Sequence, residues 1–189
     1  MKRILIITLT CIAALYGCKC SNGNKKAAQQ QAQEDTYIAA IQRYMAEEIG
    51  SNYAPGEFSI PFLQVVATDE SNDQDIKVWG DFWVDQYNQA GDTLKCVSGG
   101  SHPGLMHVAK TADGYKVKSF DAVADGAEFI PTAKAIFEDC YDAFIALQSN
   151  DAHKKAAREQ SLADYVAENQ LPVKYYQDYG WDAIEIPSK

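Results

Sequence analysis

The run Asp75-Ile76-Lys77-Val78-Trp79-Gly80-Asp81-Phe82-Trp83-Val84-Asp85-Gln86-Tyr87 constrains the fold more than any other stretch of this chain. Successive side chains of a strand point to opposite sides. Ile76, Val78, Phe82 and Val84 therefore share one face, which is core, while Lys77, Trp79, Asp81, Trp83, Asp85 and Tyr87 share the other. That second face mixes indole rings with carboxylates, and large aromatic patches of this kind need a ligand, a partner or a covering segment. With the strands that follow it, the run predicts an antiparallel meander as the centre of the domain.

At the amino terminus, Lys2 and Arg3 precede an apolar run from Ile4 to Leu15, too short to span a bilayer comfortably and placed as the hydrophobic region of an export signal. The run ends in Leu15-Tyr16-Gly17-Cys18, which resembles the lipobox of bacterial lipoprotein precursors, with Tyr16 bulkier than that motif usually carries. The resemblance implies a signal peptide over residues 1–17 and acylation of Cys18, with the protein anchored to a membrane through its fatty chains. Lys19 stands where such signals often carry an acidic residue for inner-membrane retention, so the resemblance points to the outer membrane of a bacterial cell envelope. A plain secretory signal, with Cys18 an ordinary thiol, is the alternative. Residues 18–33 are polar and low in complexity, a composition that cannot offset the cost of ordering by burial, and read as a flexible tether. Residues 34–189 then form a single α+β domain.

Charge narrows the function. With 26 acidic residues against 17 basic ones, a net charge of −9 and no Lys/Arg cluster, the chain lacks the electrostatic footprint of a nucleic-acid binder.

Asp35 is placed to cap a first helix carrying Tyr37, Ile38, Ile41, Tyr44, Met45 and Ile49 on one side, with Gly50 as its terminator. Residues 56–68 read as a strand, kept to an edge or a bulge by Pro61. Thr93 opens another strand, Ser98-Gly99-Gly100-Ser101-His102-Pro103-Gly104 reads as a loop, and Asp113-Gly114 marks a hairpin between two further short strands. Pro131 suits the first position of a second helix with the stripe Ala133, Ile136, Phe137, Cys140, Tyr141, Phe144 and Leu147. A more polar third helix, from Ala152 to Asn169, reads as cover for a sheet edge. The tail is rich in aromatics around Tyr179 and Trp181, and Ile184 and Ile186 alternate as in a short last strand.

A helix followed by a curling meander resembles the cystatin-like or NTF2-like arrangement, in which a bent sheet wraps a helix. The wording Ser98-Gly99-Gly100-Ser101-His102-Pro103-Gly104, Asp113-Gly114-Tyr115, Phe120-Asp121 and Tyr176-Gln177-Asp178-Tyr179-Gly180-Trp181 is similar to small bacterial secreted proteins of uncharacterised function. Neither resemblance implies an activity.

The chemistry-bearing candidates are few. His102, among glycines, can act as a general base near Asp81 or Asp85, giving a small hydrolase or isomerase, or can simply hydrogen-bond within its turn. Trp79, Asp81, Trp83 and Tyr87 can line a face for a small-molecule or protein partner, or be covered by the aromatic tail. His107 reads as a half-buried structural histidine and His153 as a solvated one. No CxxC or HExxH spacing is present, so neither a metal nor another cofactor is expected, and no catalytic residue is assigned. Cys96 and Cys140 either form a disulfide, which export permits, or remain buried thiols. The function expected is that of a lipid-anchored binding or interaction module.

Overall fold

A computed structural model describes residues 36–188. The signal, Cys18, the tether and Asp35 lie outside the described residues. The domain is α+β, with one helix packed on a strongly curled mixed sheet and further helices beside it. Helix α1, Tyr37–Tyr44, is capped by Thr36, whose Oγ1 accepts from Ala39 N at 3.1 Å. It runs on through a π-helical segment, Met45–Ile49, and a 3₁₀ turn, Gly50–Asn52, so Gly50 extends the helical run where termination was expected.

Strands β1 (Phe58–Asp69), β2 (Ile76–Ala90), β3 (Thr93–Thr111) and β4 (Gly114–Ala122) form the meander. β1 is an edge, which accommodates Pro61. Irregularities between Val65 and Ala67, between Gln86 and Tyr87, and between His107 and Val108 curl the sheet, because an extra residue on one strand bends it and sharpens its twist. Gly114, with φ 109°, makes the Asp-Gly reversal into β4.

The expected Gly-rich loop is strand. β3 is continuous over 19 residues, and 98–104 pair with 80–86 of β2. Local turn chemistry yields to the long partner strand, and the glycines are there for close approach: a β-carbon on Gly99, where φ is 152°, would collide with the Asp85 carboxylate. The sheet is also not purely antiparallel. β5 (Tyr175–Gln177) joins β3 in parallel, Thr93 opposite Tyr175, and β6 (Ile184–Glu185) pairs with β5.

The two faces of β2 are used as the alternation predicts. Ile76, Val78, Phe82 and Val84 pack with Met106 and Val108 against Ala40, Ile41 and Met45 of α1. The opposite face carries α2 (Phe129–Phe137), α3 (Tyr141–Gln148) and α4 (Asp151–Asn169). The expected single second helix starts at Phe129, two residues before Pro131, and is broken at Glu138, whose φ of 44° starts a 3₁₀ turn. The break sets Phe144 flat on Phe137, ring centroids 3.9 Å apart, beneath Trp79 and Val66. α4 lies across the face of the sheet at β1, where edge cover was expected, and its Leu162 and Ala163 meet Ile60, Tyr87, Leu94 and Tyr176.

Phe82 is completely buried and meets Phe120 edge-on at 5.7 Å in the α1 core. Phe82→Ala is expected to cost about 3–5 kcal/mol of unfolding free energy, read from the urea midpoint at unchanged slope.

Candidate functional site

Two segments converge beside β3. α4 begins at an Asn150 cap that accepts from His153 N at 3.1 Å, and its first turns carry Lys154, Lys155 and Arg158 along the exposed side of the sheet. The tail returns as β5 and leaves the sheet again after Gln177. Between them lies an open cleft of about 570 Å³. Its wall is the stacked pair Phe62 and Trp83, with centroids 5.3 Å apart and planes 13° apart. Its floor is Asp85, Arg158 and Tyr176, and its rim includes Val97, Gly99 and Tyr179.

Arg158 is the hub of the floor. Its Nη1 and Nη2 donate to the two carboxylate oxygens of Asp178 at 2.7 and 2.6 Å, and its Nε lies 3.0 Å from both the Tyr87 hydroxyl and Asp85 Oδ2. The guanidinium also stands over the rings of Tyr176 and Tyr87, at 5.1 and 5.7 Å. Burial by itself would favour loss of its proton, but the Asp178 hydrogen bonds and the surrounding negative charge outweigh this and raise its pKa, so it stays charged. In return the hydrogen bonds from Arg158 hold the Asp178 carboxyl below the ordinary aspartate value. Burial holds Asp85 above that value, although the charge of Arg158 pulls the other way. Burial also pushes the Cys96 thiol up to about 11, which leaves it protonated and a poor nucleophile.

Behind Trp83 lies a second buried acid. Asp81 accepts from Ser101 Oγ at 2.5 Å, from Trp83 Nε1 at 2.9 Å and from Gln148 Nε2 at 3.4 Å. Those bonds orient the indole that faces the cleft. Desolvation dominates and raises the Asp81 pKa, although these hydrogen bonds and the charge of Lys154 pull the other way.

The candidate residues named from sequence separate. Trp83 lines the cleft and Asp81 supports it. Tyr87 is buried under Arg158. Trp79 is covered by α2, donating from Nε1 to Ile136 O at 2.9 Å. The cover of this face is therefore supplied by helices, and the tail residues expected to supply it, Tyr179 and Trp181, are 97% and 75% exposed. His102 registers with Phe82 and so lies on the α1 side, its Nε2 2.8 Å from the Tyr53 hydroxyl. Burial lowers its pKa, leaving a neutral ring. The structure does not bring His102 together with Asp81 or Asp85, which face the other way.

Cys96 and Cys140 are both free thiols, packed in different clusters, so of the two alternatives the structure has the unbridged one. His107 is half-buried between Asp75, 2.8 Å away, and Asp121, 3.4 Å away. His153 is exposed, but its Nδ1 meets the buried Gln64 side chain at 2.9 Å. Among the described residues no group of three or more His, Cys, Asp or Glu side chains is placed to hold a metal ion. No described helix is long and apolar enough to cross a membrane.

Sequence reasoning missed Phe62, Lys154, Lys155, Arg158, Tyr176 and Asp178. One signal was present: Arg158 precedes Leu162 by four residues and so shares the buried stripe of α4, where a cation requires partners.

No family model, no curated protein and no solved structure matches this chain.

The Asp81 shift gives a pH test. A carboxyl raised above its unfolded value of 3.8 keeps more protons folded than unfolded, so its contribution to stability is fullest below 3.8 and is lost as pH rises through the folded value. Urea midpoints at pH 4 and pH 7 are expected to fall further on raising pH for the parent than for Asp81→Asn; parallel profiles would contradict this.

Proposed function

We propose that this protein is a lipid-anchored binding or interaction module of the bacterial cell envelope, attached through Cys18 to the outer membrane and taking its ligand in the cleft beside β3. The observation that carries the binding reading is the cleft itself: an aromatic wall fixed by a buried acid, set against a charged floor, with no covering segment among the described residues. Ligand sites are concave and mostly apolar, with a few polar groups that fix orientation, and this cleft has that make-up. The curled sheet on a helix supports a cystatin-like or NTF2-like fold as part of the same reading. The anchoring part rests on the lipobox-like run Leu15-Tyr16-Gly17-Cys18.

Trp83 supplies the test of binding. In a Trp181→Phe background, which removes the exposed indole, intrinsic fluorescence is titrated with separate pools of oligosaccharides, peptides and the amphiphile sodium dodecanoate. At least one pool is expected to shift the emission with saturation, and a flat response to all three would overturn the reading. Anchoring is tested by fractionation: Cys18→Ser is expected to move from the membrane pellet to the soluble fraction, and equal sedimentation of parent and variant would contradict the anchor.

A further inference from the structure

We infer that the ligand of the cleft is an extended peptide, added as a short strand to an opening in the sheet at β3; this rests on the binding reading above. β3 pairs with β2 from Thr93 to Val108. On its other side, β5 takes Thr93–Lys95 and β4 takes Gly104–Thr111. Among the described residues, no strand pairs with residues 96–103 on that side. An interior strand thus carries a stretch of open edge, and it shows in the burial: Gly99 is exposed, and Val97 is 45% exposed.

The direction of the free backbone groups follows from one hydrogen bond. Val123 N donates to Pro103 O at 2.9 Å, so the Pro103 carbonyl points to the β4 side. In a strand the N–H and C=O of one residue share a side and alternate along the chain. Ser101 and Gly99 therefore turn their N–H and C=O groups into the opening, while His102 and Gly100 bond to β2. Unpaired edge groups of this kind are a template for another strand.

The opening has defined ends. At one end, Asp178 directly follows β5 and is gripped by both terminal nitrogens of Arg158, after which the chain reverses, with Gly180 at φ 79° and Trp181 N bonded to Asp178 O at 3.2 Å. At the other, the chain leaves β4 at Val123 for α2. At about 3.3 Å per residue, the run from Lys95 to Gly104 leaves room for a strand of about four to six residues.

Charge selects the peptide. Side chains directed to the α4 side would meet the Phe62–Trp83 wall and the ammonium groups of Lys154 and Lys155. Lys154 also stands over the Trp83 ring at 5.4 Å. Both lysines hold acidic partners on their own helix, Asp151 and Glu159. The Lys154–Asp151 pair is exposed and contributes little, so a ligand carboxylate can replace Asp151 at small cost, whereas Glu159 is largely buried and also accepts from the Tyr176 hydroxyl. The peptide is therefore one that alternates β-branched residues with polar ones and carries a glutamate facing α4. Neither a sugar nor a fatty acid offers alternating donors and acceptors at strand spacing.

The test uses the full chain and a fluorescein-labelled pool of N-acetylated hexapeptides in which valine or threonine alternates with randomised positions, one of them glutamate. The best binder is then made in two backbone N-methylated forms, one for each alternation. One form is expected to bind about tenfold or more weakly and the other within about twofold of the parent, because only one alternation bonds to β3. Lys154→Glu with Lys155→Glu is expected to weaken the parent peptide by a similar factor. Equal binding by both methylated forms, or equal loss in both, would overturn the inference. Absence of peptide binding while sodium dodecanoate or an oligosaccharide moves the Trp83 signal would overturn it and leave the binding cleft standing. Silence from every probe would remove both.

Discussion

The arrangement depends on one buried cation. Arg158 reaches from α4 into the sheet and is satisfied by Asp85 and Tyr87 of β2 and by Asp178 of the tail. Removing a guanidinium from water costs several kcal/mol unless the charge is paired and its hydrogen bonds are met, and here three accepting side chains and two aromatic faces meet it. The consequence is positional. α4 is fixed across the face of the sheet, and the tail is drawn off the edge of β3 just after Gln177.

A second constraint acts on β2, whose two faces serve different purposes. One face gives the α1 core its methyl and phenyl groups, with no polar residue until Gln86, which is held by Gly50 O and Ser59 Oγ. The other face places Asp81, Trp83, Asp85 and Tyr87 in succession under α3 and α4, each acid hydrogen-bonded to the aromatic two residues on. The spacing that makes a strand thus also builds a row of rings oriented by carboxylates. Burial raises both acids, a cost in stability that a purely apolar face would avoid.

Much of this was legible in the sequence. The split of β2 into two faces followed from strict alternation, the hairpin at Gly114 from its Asp-Gly pair, and the edge position of β1 from Pro61. What was not legible depended on partners distant in sequence. Seven residues from Ser98 to Gly104, read alone, carry every mark of a loop, yet the length of β2 makes them strand. The break at Glu138 has no local signal, since it answers to the stack of Phe144 on Phe137. The parallel seat of β5 and the grip of Arg158 on Asp178 join segments whose proximity no periodicity reports. Of the candidate site, Trp83 and its support Asp81 were found because they share the strand that organised the reading. His102 was misplaced by the same loop assignment that hid the continuity of β3.

The central claim is that an interior strand is left open at the level of single peptide groups. Residue-resolved amide hydrogen exchange on the ligand-free protein tests it most directly. The account predicts that the Gly99 and Ser101 amides exchange rapidly while Gly100 and His102, bonded to β2, are protected. Protection of all four alike, as in a fully paired interior strand, would contradict it.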